Sequence, residues 1–159
     1  MVKMMKIIHI IENTFASIVI ALMTIITFIA SINRFTLAIP MPWSEELVRI
    51  LMAWLAFIGA ACGVNFGAHI GINVITDNLP ESVRKWVLRF TFVAGIFICV
   101  VLFLGGMNNL IRQSGQRTQA MQISIGWRYA SVPCGAVLMG MEFLFLLAKS
   151  FKKEGLSSD

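Results

Sequence analysis

"PMPWSEELVRILMAWLAFIGAACGVNFGAHIGINVIT", residues 40–76, decides how this chain folds. It opens on two prolines, then sets Ser44, Glu45, Glu46 and Arg49 ahead of an apolar run. From Ile50 to Thr76 there are 27 residues without Asp, Glu, Lys or Arg. The hydrocarbon core of a bilayer is about 30 Å thick, and a helix of about 20 apolar residues crosses it. Three further runs meet that length: 21 residues from Asn13 to Asn33, 22 from Phe90 to Ile111, and 20 from Tyr129 to Ala148, the last carrying Glu142 as its one charge. A soluble bundle helix would show a polar stripe at every turn, and the first and third spans along the chain, Asn13–Asn33 and Phe90–Ile111, lack one.

Composition agrees. Of 159 residues, 58% are hydrophobic and 13% charged, against about 25% charged in soluble domains. The expected fold is an all-α integral membrane protein, one domain over residues 1–159. Its four transmembrane helices lie at about 10–33, 44–68, 83–110 and 127–148, joined by short links into an up-down bundle. After the second span, "HIGINVITDNLP" reads as a short interfacial segment, with Ile72, Ile75 and Leu79 on one face. Trp86 marks one membrane interface, and Trp43, Trp127 and Tyr129 the other.

Charge gives an orientation. With both termini cytoplasmic, eight basic residues, including all six lysines, fall inside and five arginines outside, a positive-inside bias. The basic residues flank spans and form no single face, which argues against a nucleic-acid partner. The N-terminal apolar run is longer than a signal-peptide core and is broken early by Glu12 and Asn13, so an uncleaved first span is expected.

An acidic pair at the mouth of a span is one form an ion or proton site takes. Neighbouring helical residues point about 100° apart, so Glu45 and Glu46 do not converge. Each is instead spaced to reach Arg49, at i+4 and i+3, and Ser44 is placed to cap the helix. The expected role of Trp43, Glu45, Glu46 and Arg49 is an interfacial clamp. Gly59, Gly63, Gly67 and Gly71 recur every four residues, the small-xxx-small spacing of closely packed membrane helices; the helix they receive belongs either to this chain or to another protein.

No catalytic, substrate-binding or metal site is read from the sequence, and no cofactor. Cys62, Cys99 and Cys134 lie in different spans with no C-x-x-C, so the paired thiols of a membrane thiol oxidoreductase are absent. His9 and His69 have no triad or metal-ligand partner at a useful spacing. An enzyme is not expected. A self-contained four-helix ion-coupled carrier is the alternative, and it would need a deep ionisable group. Glu142 is the candidate, though it sits only about 9 Å from the inner edge at about 1.5 Å per residue.

Trp43-Ser44-Glu45-Glu46-x-x-Arg49, followed by Trp54 and Phe57-x-Gly59-Ala60-Ala61, resembles the small membrane subunit, the DctQ-like or Q subunit, of tripartite ATP-independent periplasmic (TRAP) transporters. His69-Ile70 and the Trp127, Tyr129, Pro133 pattern before the last span match in order and spacing. Asn73 stands where that family often has Asp, and no basic residue precedes the histidine. The resemblance implies a non-catalytic subunit of a bacterial inner-membrane, sodium-coupled transporter for an organic acid: a C4-dicarboxylate, keto acid or sialic acid. It implies a large membrane subunit that holds the substrate and sodium sites and moves as an elevator. It also implies a periplasmic substrate-binding protein that docks transiently. Arg112 and Arg117, basic residues of the expected outer loop, are the candidate contacts for it. The small subunit would sit in the lipid bilayer against the large subunit's static scaffold.

Overall fold

A computed structural model describes residues 2–76 and 81–155, with side chains at 8–64, 83–84, 86–148 and 150. Apart from connections at 38–41 and 114–125 and a turn at Ala130, the described residues form helices. In order these are α1 (Val2–Ile32), a π-helical turn (Asn33–Leu37), α2 (Pro42–Thr76), α3 (Glu81–Gln113), the single turn α4 (Gly126–Tyr129) and α5 (Ser131–Gly155). Among the described residues four stretches are long and apolar enough to cross a membrane: Ile8–Leu37, Pro42–Val64, Trp86–Gln113 and Gly126–Ala148. The fold is therefore the four-span, all-α membrane architecture that the apolar runs predict.

The connection between the first two spans is set by local chemistry. The π turn ends at Ala38, which takes a left-handed conformation (φ 52°) and donates its N–H to the Asn33 carbonyl. Pro42 then opens α2, where its fixed φ and missing N–H cost nothing. This early start moves Ser44 inside the first turn. Its hydroxyl donates back to the Met41 carbonyl at 2.7 Å instead of accepting an N–H as a cap would, which corrects the capping expectation. At the other end of α2, the backbone of residues 69–76 continues the same helix, so this part of the interfacial segment extends α2; residues 77–80 of it lie outside the described residues.

Packing centres on α5, which lies against both α2 and α3, while α1 packs along α2. Of the span residues in α5, 39% are buried, against 6% in α1; α1 turns most of its surface outward. The core is small: Ala61 of α2, Cys99 of α3 and Met139 of α5, with Phe57, Leu102 and Phe143 packed around them. Lipid is as apolar as leucine, so close van der Waals fit must hold such helices together. The fit is tightest at glycines of α3 and α5. A Cβ on Gly135 would lie 2.5 Å from Phe57 Cβ and 3.1 Å from the Phe57 backbone. One on Gly106 would meet Val132 at 2.9 Å and Pro133 at 3.0 Å.

Candidate functional site

The candidate clamp lies at the end of the bundle that carries the α3–α4 loop, and the structure divides its two acids between different partners. Glu45 pairs with Arg49 across one helical turn, Oε2 to Nη2 at 3.5 Å, with both side chains about two-thirds exposed. Such an exposed i,i+4 pair contributes only about 0.3–0.5 kcal/mol. Glu46 does not turn to Arg49. Its Oε1 accepts the Ala120 N–H at 2.8 Å and its Oε2 the Met121 N–H at 2.9 Å. A carboxylate taking two backbone N–H groups makes charge-assisted bonds, stronger than neutral ones. Of the expectation that both acids reach Arg49, the Glu46 half is corrected: the 100° offset of neighbours aims Glu46 at a loop 74 residues away.

That loop is built to be held. Arg117 and Ser124 form an antiparallel bridge, with Thr118 N–H donating to the Ile123 carbonyl and Ile125 N–H to the Gln116 carbonyl, both at 2.9 Å. Gln122 turns the tip at φ 57°, and the Arg117 guanidinium donates to the Gln122 carbonyl at 3.1 Å. Ser124 Oγ donates to the Ser114 carbonyl at 2.7 Å, closing the base. The result is a short hairpin that presents two N–H groups to Glu46. Arg112, by contrast, bonds Asn108 on its own helix.

The aromatic positions join the same end. Trp54 Nε1–H donates to the Trp127 carbonyl at 3.0 Å, tying α2 to α4, and the Trp54 ring meets Phe15 of α1 edge-on at 6.4 Å. The Trp127 and Trp43 side chains are exposed. Tyr129 lies under the Arg128 guanidinium, 5.0 Å from the ring centroid, and its hydroxyl accepts from Arg128 Nη2. Pro133 is buried against Gly106.

The glycine stripe does not line a helix contact within the chain where its side of α2 is described. A Cβ on Gly59 or Gly63 would meet nothing within 4 Å. Gly67, His69 and Gly71 fall outside the residues whose side chains are described.

At the opposite end the structure gathers a cluster that sequence reading missed. His9 Nδ1 of α1 lies 3.6 Å from Glu12 Oε2 and 3.5 Å from Glu142 Oε1 of α5. Cys62 Sγ of α2 stands 3.8 Å from Glu12 Oε2. Glu12 is 4% exposed and Glu142 2%. The His9–Glu12 spacing of i,i+3 was the available signal, since it places an ionisable pair on one face of the helix that forms the first span.

Comparison with known proteins bears on the whole chain. Residues 23–153 match the family model described as tripartite ATP-independent periplasmic transporters, DctQ component. A sialic acid TRAP transporter small permease protein, SiaQ, of Vibrio cholerae is 31% identical over 125 residues, covering 74% of this chain and 69% of the relative. A C4-dicarboxylate TRAP transporter small permease protein, DctQ, of Rhodobacter capsulatus is 24% identical over 89% of this chain and 76% of the relative. The sialic acid TRAP transporter permease protein SiaT of Haemophilus influenzae is 30% identical over 71% of this chain, but the match spans only 18% of that longer protein.

Proposed function

This chain belongs to the DctQ component family of tripartite ATP-independent periplasmic transporters, and on that premise we propose that it is the non-catalytic small permease subunit of a sodium-coupled TRAP system, docked on the scaffold of a large transport subunit. The observation that carries the docking is the outward face of α2. Ala56, Ala60 and Gly63 are exposed there, and Gly59 and Gly63 have open space where a Cβ would project. A strip of small residues in a membrane helix lets a second backbone approach closely, and within this chain none does so at Gly59 or Gly63. The length relation to SiaT supports the same reading: a segment like this chain forms a minor part of a much larger permease there.

Substrate and ion chemistry belong, in this reading, to the large subunit. The substrate is an organic acid, of which sialic acid and C4-dicarboxylates are the classes named among the relatives. Both termini are cytoplasmic, which puts the Glu46-held loop on the periplasmic side. There it can meet the substrate-binding protein, and Arg112 and Arg117 are the cations on offer. The clamp of Glu45, Glu46, Arg49 and Trp43 then keeps the outer end of α2 in register with that loop.

Docking predicts a specific mutational outcome. Gly59→Leu with Gly63→Leu is expected to abolish co-purification of a co-expressed large TRAP membrane subunit. The isolated variant should keep wild-type helicity and thermal stability, because neither new side chain meets this chain's own atoms within 4 Å of its Cβ. A variant that still pulls down the large subunit in stoichiometric amount would remove α2 from the interface.

A further inference from the structure

We propose that His9, Glu12 and Glu142 form a divalent metal site of the zinc class, which fastens the first span to the last. One Nδ1 and two carboxylate oxygens from α1 and α5 all lie within 4.8 Å of one another. The histidine nitrogen stands 3.6 and 3.5 Å from the two oxygens. That is too long for charged hydrogen bonds, which run about 2.7–2.9 Å. It is close to the edge of a tetrahedron with bonds of about 2.0–2.1 Å, roughly 3.3–3.4 Å, the geometry that zinc takes with histidine and carboxylate ligands.

The second observation is the state of the carboxylates. Glu12 and Glu142 are more than nine-tenths buried, and the Oε1 atom of each has no hydrogen-bond partner. Buried polar atoms are nearly always satisfied, and two carboxylates side by side in an apolar bundle carry a large electrostatic cost. The orphan Glu142 Oε1 is the atom that faces His9 Nδ1, and Glu12 faces the same point through Oε2; a divalent cation held there supplies the missing partner of Glu142 Oε1 and balances the negative charge of both carboxylates.

The donor set selects the ion. Magnesium and calcium seek six or more oxygens, whereas one imidazole and two carboxylates fit a borderline first-row ion. The Cys62 thiol, 3.8 Å from Glu12 Oε2, adds a soft donor beside the cluster. His9 is 25% exposed, which gives the ion a path in. The structural consequence falls on α1, the least buried span: the ion would bind it to α5 at the end opposite the Glu46 loop.

The test uses the tag-free full-length chain in detergent, stripped with chelator and titrated with zinc or cobalt(II) alone. We expect about one equivalent of zinc, a rise in the thermal midpoint on binding, and the visible absorption of tetrahedral cobalt(II). His9→Gln and the double variant Glu12→Gln, Glu142→Gln should lose that absorption. Because the double variant could misfold, the wild-type spectrum decides by itself. A wild-type chain with no saturable zinc uptake, or with cobalt(II) showing only the weak spectrum of the hydrated ion, would overturn the site. So would a folded double variant that binds zinc as the wild type does.

Discussion

Gly135→Leu is expected to be the most damaging single substitution in the described part of the bundle. The Cβ it adds falls 2.5 Å from Phe57 Cβ and 3.1 Å from both the carbonyl carbon and the oxygen of Phe57. A flexible side-chain tip could swing away, but a backbone carbonyl moves only if α2 moves. Overpacking a tight site costs about 1–3 kcal/mol, occasionally more, and a backbone obstacle places Gly135 at the upper end. For a chain of this length about 3 kcal/mol corresponds to a fall in thermal midpoint of roughly 6–12 °C. Thermal unfolding of the detergent-solubilised protein reads it directly. Gly105→Leu is the control: a Cβ there meets nothing within 4 Å, and its midpoint should stay near wild type. Equal falls in the two variants would mean that α2 and α5 do not meet at Gly135.

Glu46→Ala is expected to release the α3–α4 hairpin. The carboxylate holds the Ala120 and Met121 N–H groups at 2.8 and 2.9 Å, and alanine leaves both without a protein acceptor. Amide hydrogen exchange at those two positions should go from protected to fully unprotected, while the spans keep their protection. Arg49→Ala should leave the two amides unchanged, because Arg49 reaches Glu45 and not Glu46. Unaltered protection in Glu46→Ala would show that the hairpin's internal bonds hold those amides unaided.

These two substitutions also show where sequence reading reaches its limit. The four spans were legible because their signal is local: a charge-free run either is or is not long enough to cross a bilayer. The clamp was half legible. Spacing along one helix correctly offered Arg49 to Glu45, but the same rule offered it to Glu46, and no local rule contains a loop that returns 74 residues later. The glycines teach a related lesson. Periodicity of glycines picked out Gly59 and Gly63, which face open space, while the close approach inside the chain depends on Gly135, whose small neighbour four residues away is Ser131 and not a second glycine. Periodicity reports that a helix has a flat face and not which neighbour covers it. Glu142 was visible as the lone charge of its span, yet its meeting with His9 and Glu12 follows from how α1 and α5 pack, which one strand of sequence does not encode locally.

On the proposed assignment, this chain supports transport without performing it. Its buried carboxylates at Glu12 and Glu142 are the features a self-contained carrier would have to use, so the decisive measurement is uptake into proteoliposomes. Labelled sialic acid or C4-dicarboxylate, with a cognate binding protein outside and an inward sodium gradient, is offered to vesicles holding this chain alone or together with the large subunit. Background uptake is expected for the chain alone, and sodium-dependent accumulation only when the large subunit is present. Sodium-driven accumulation by the chain alone would contradict the assignment.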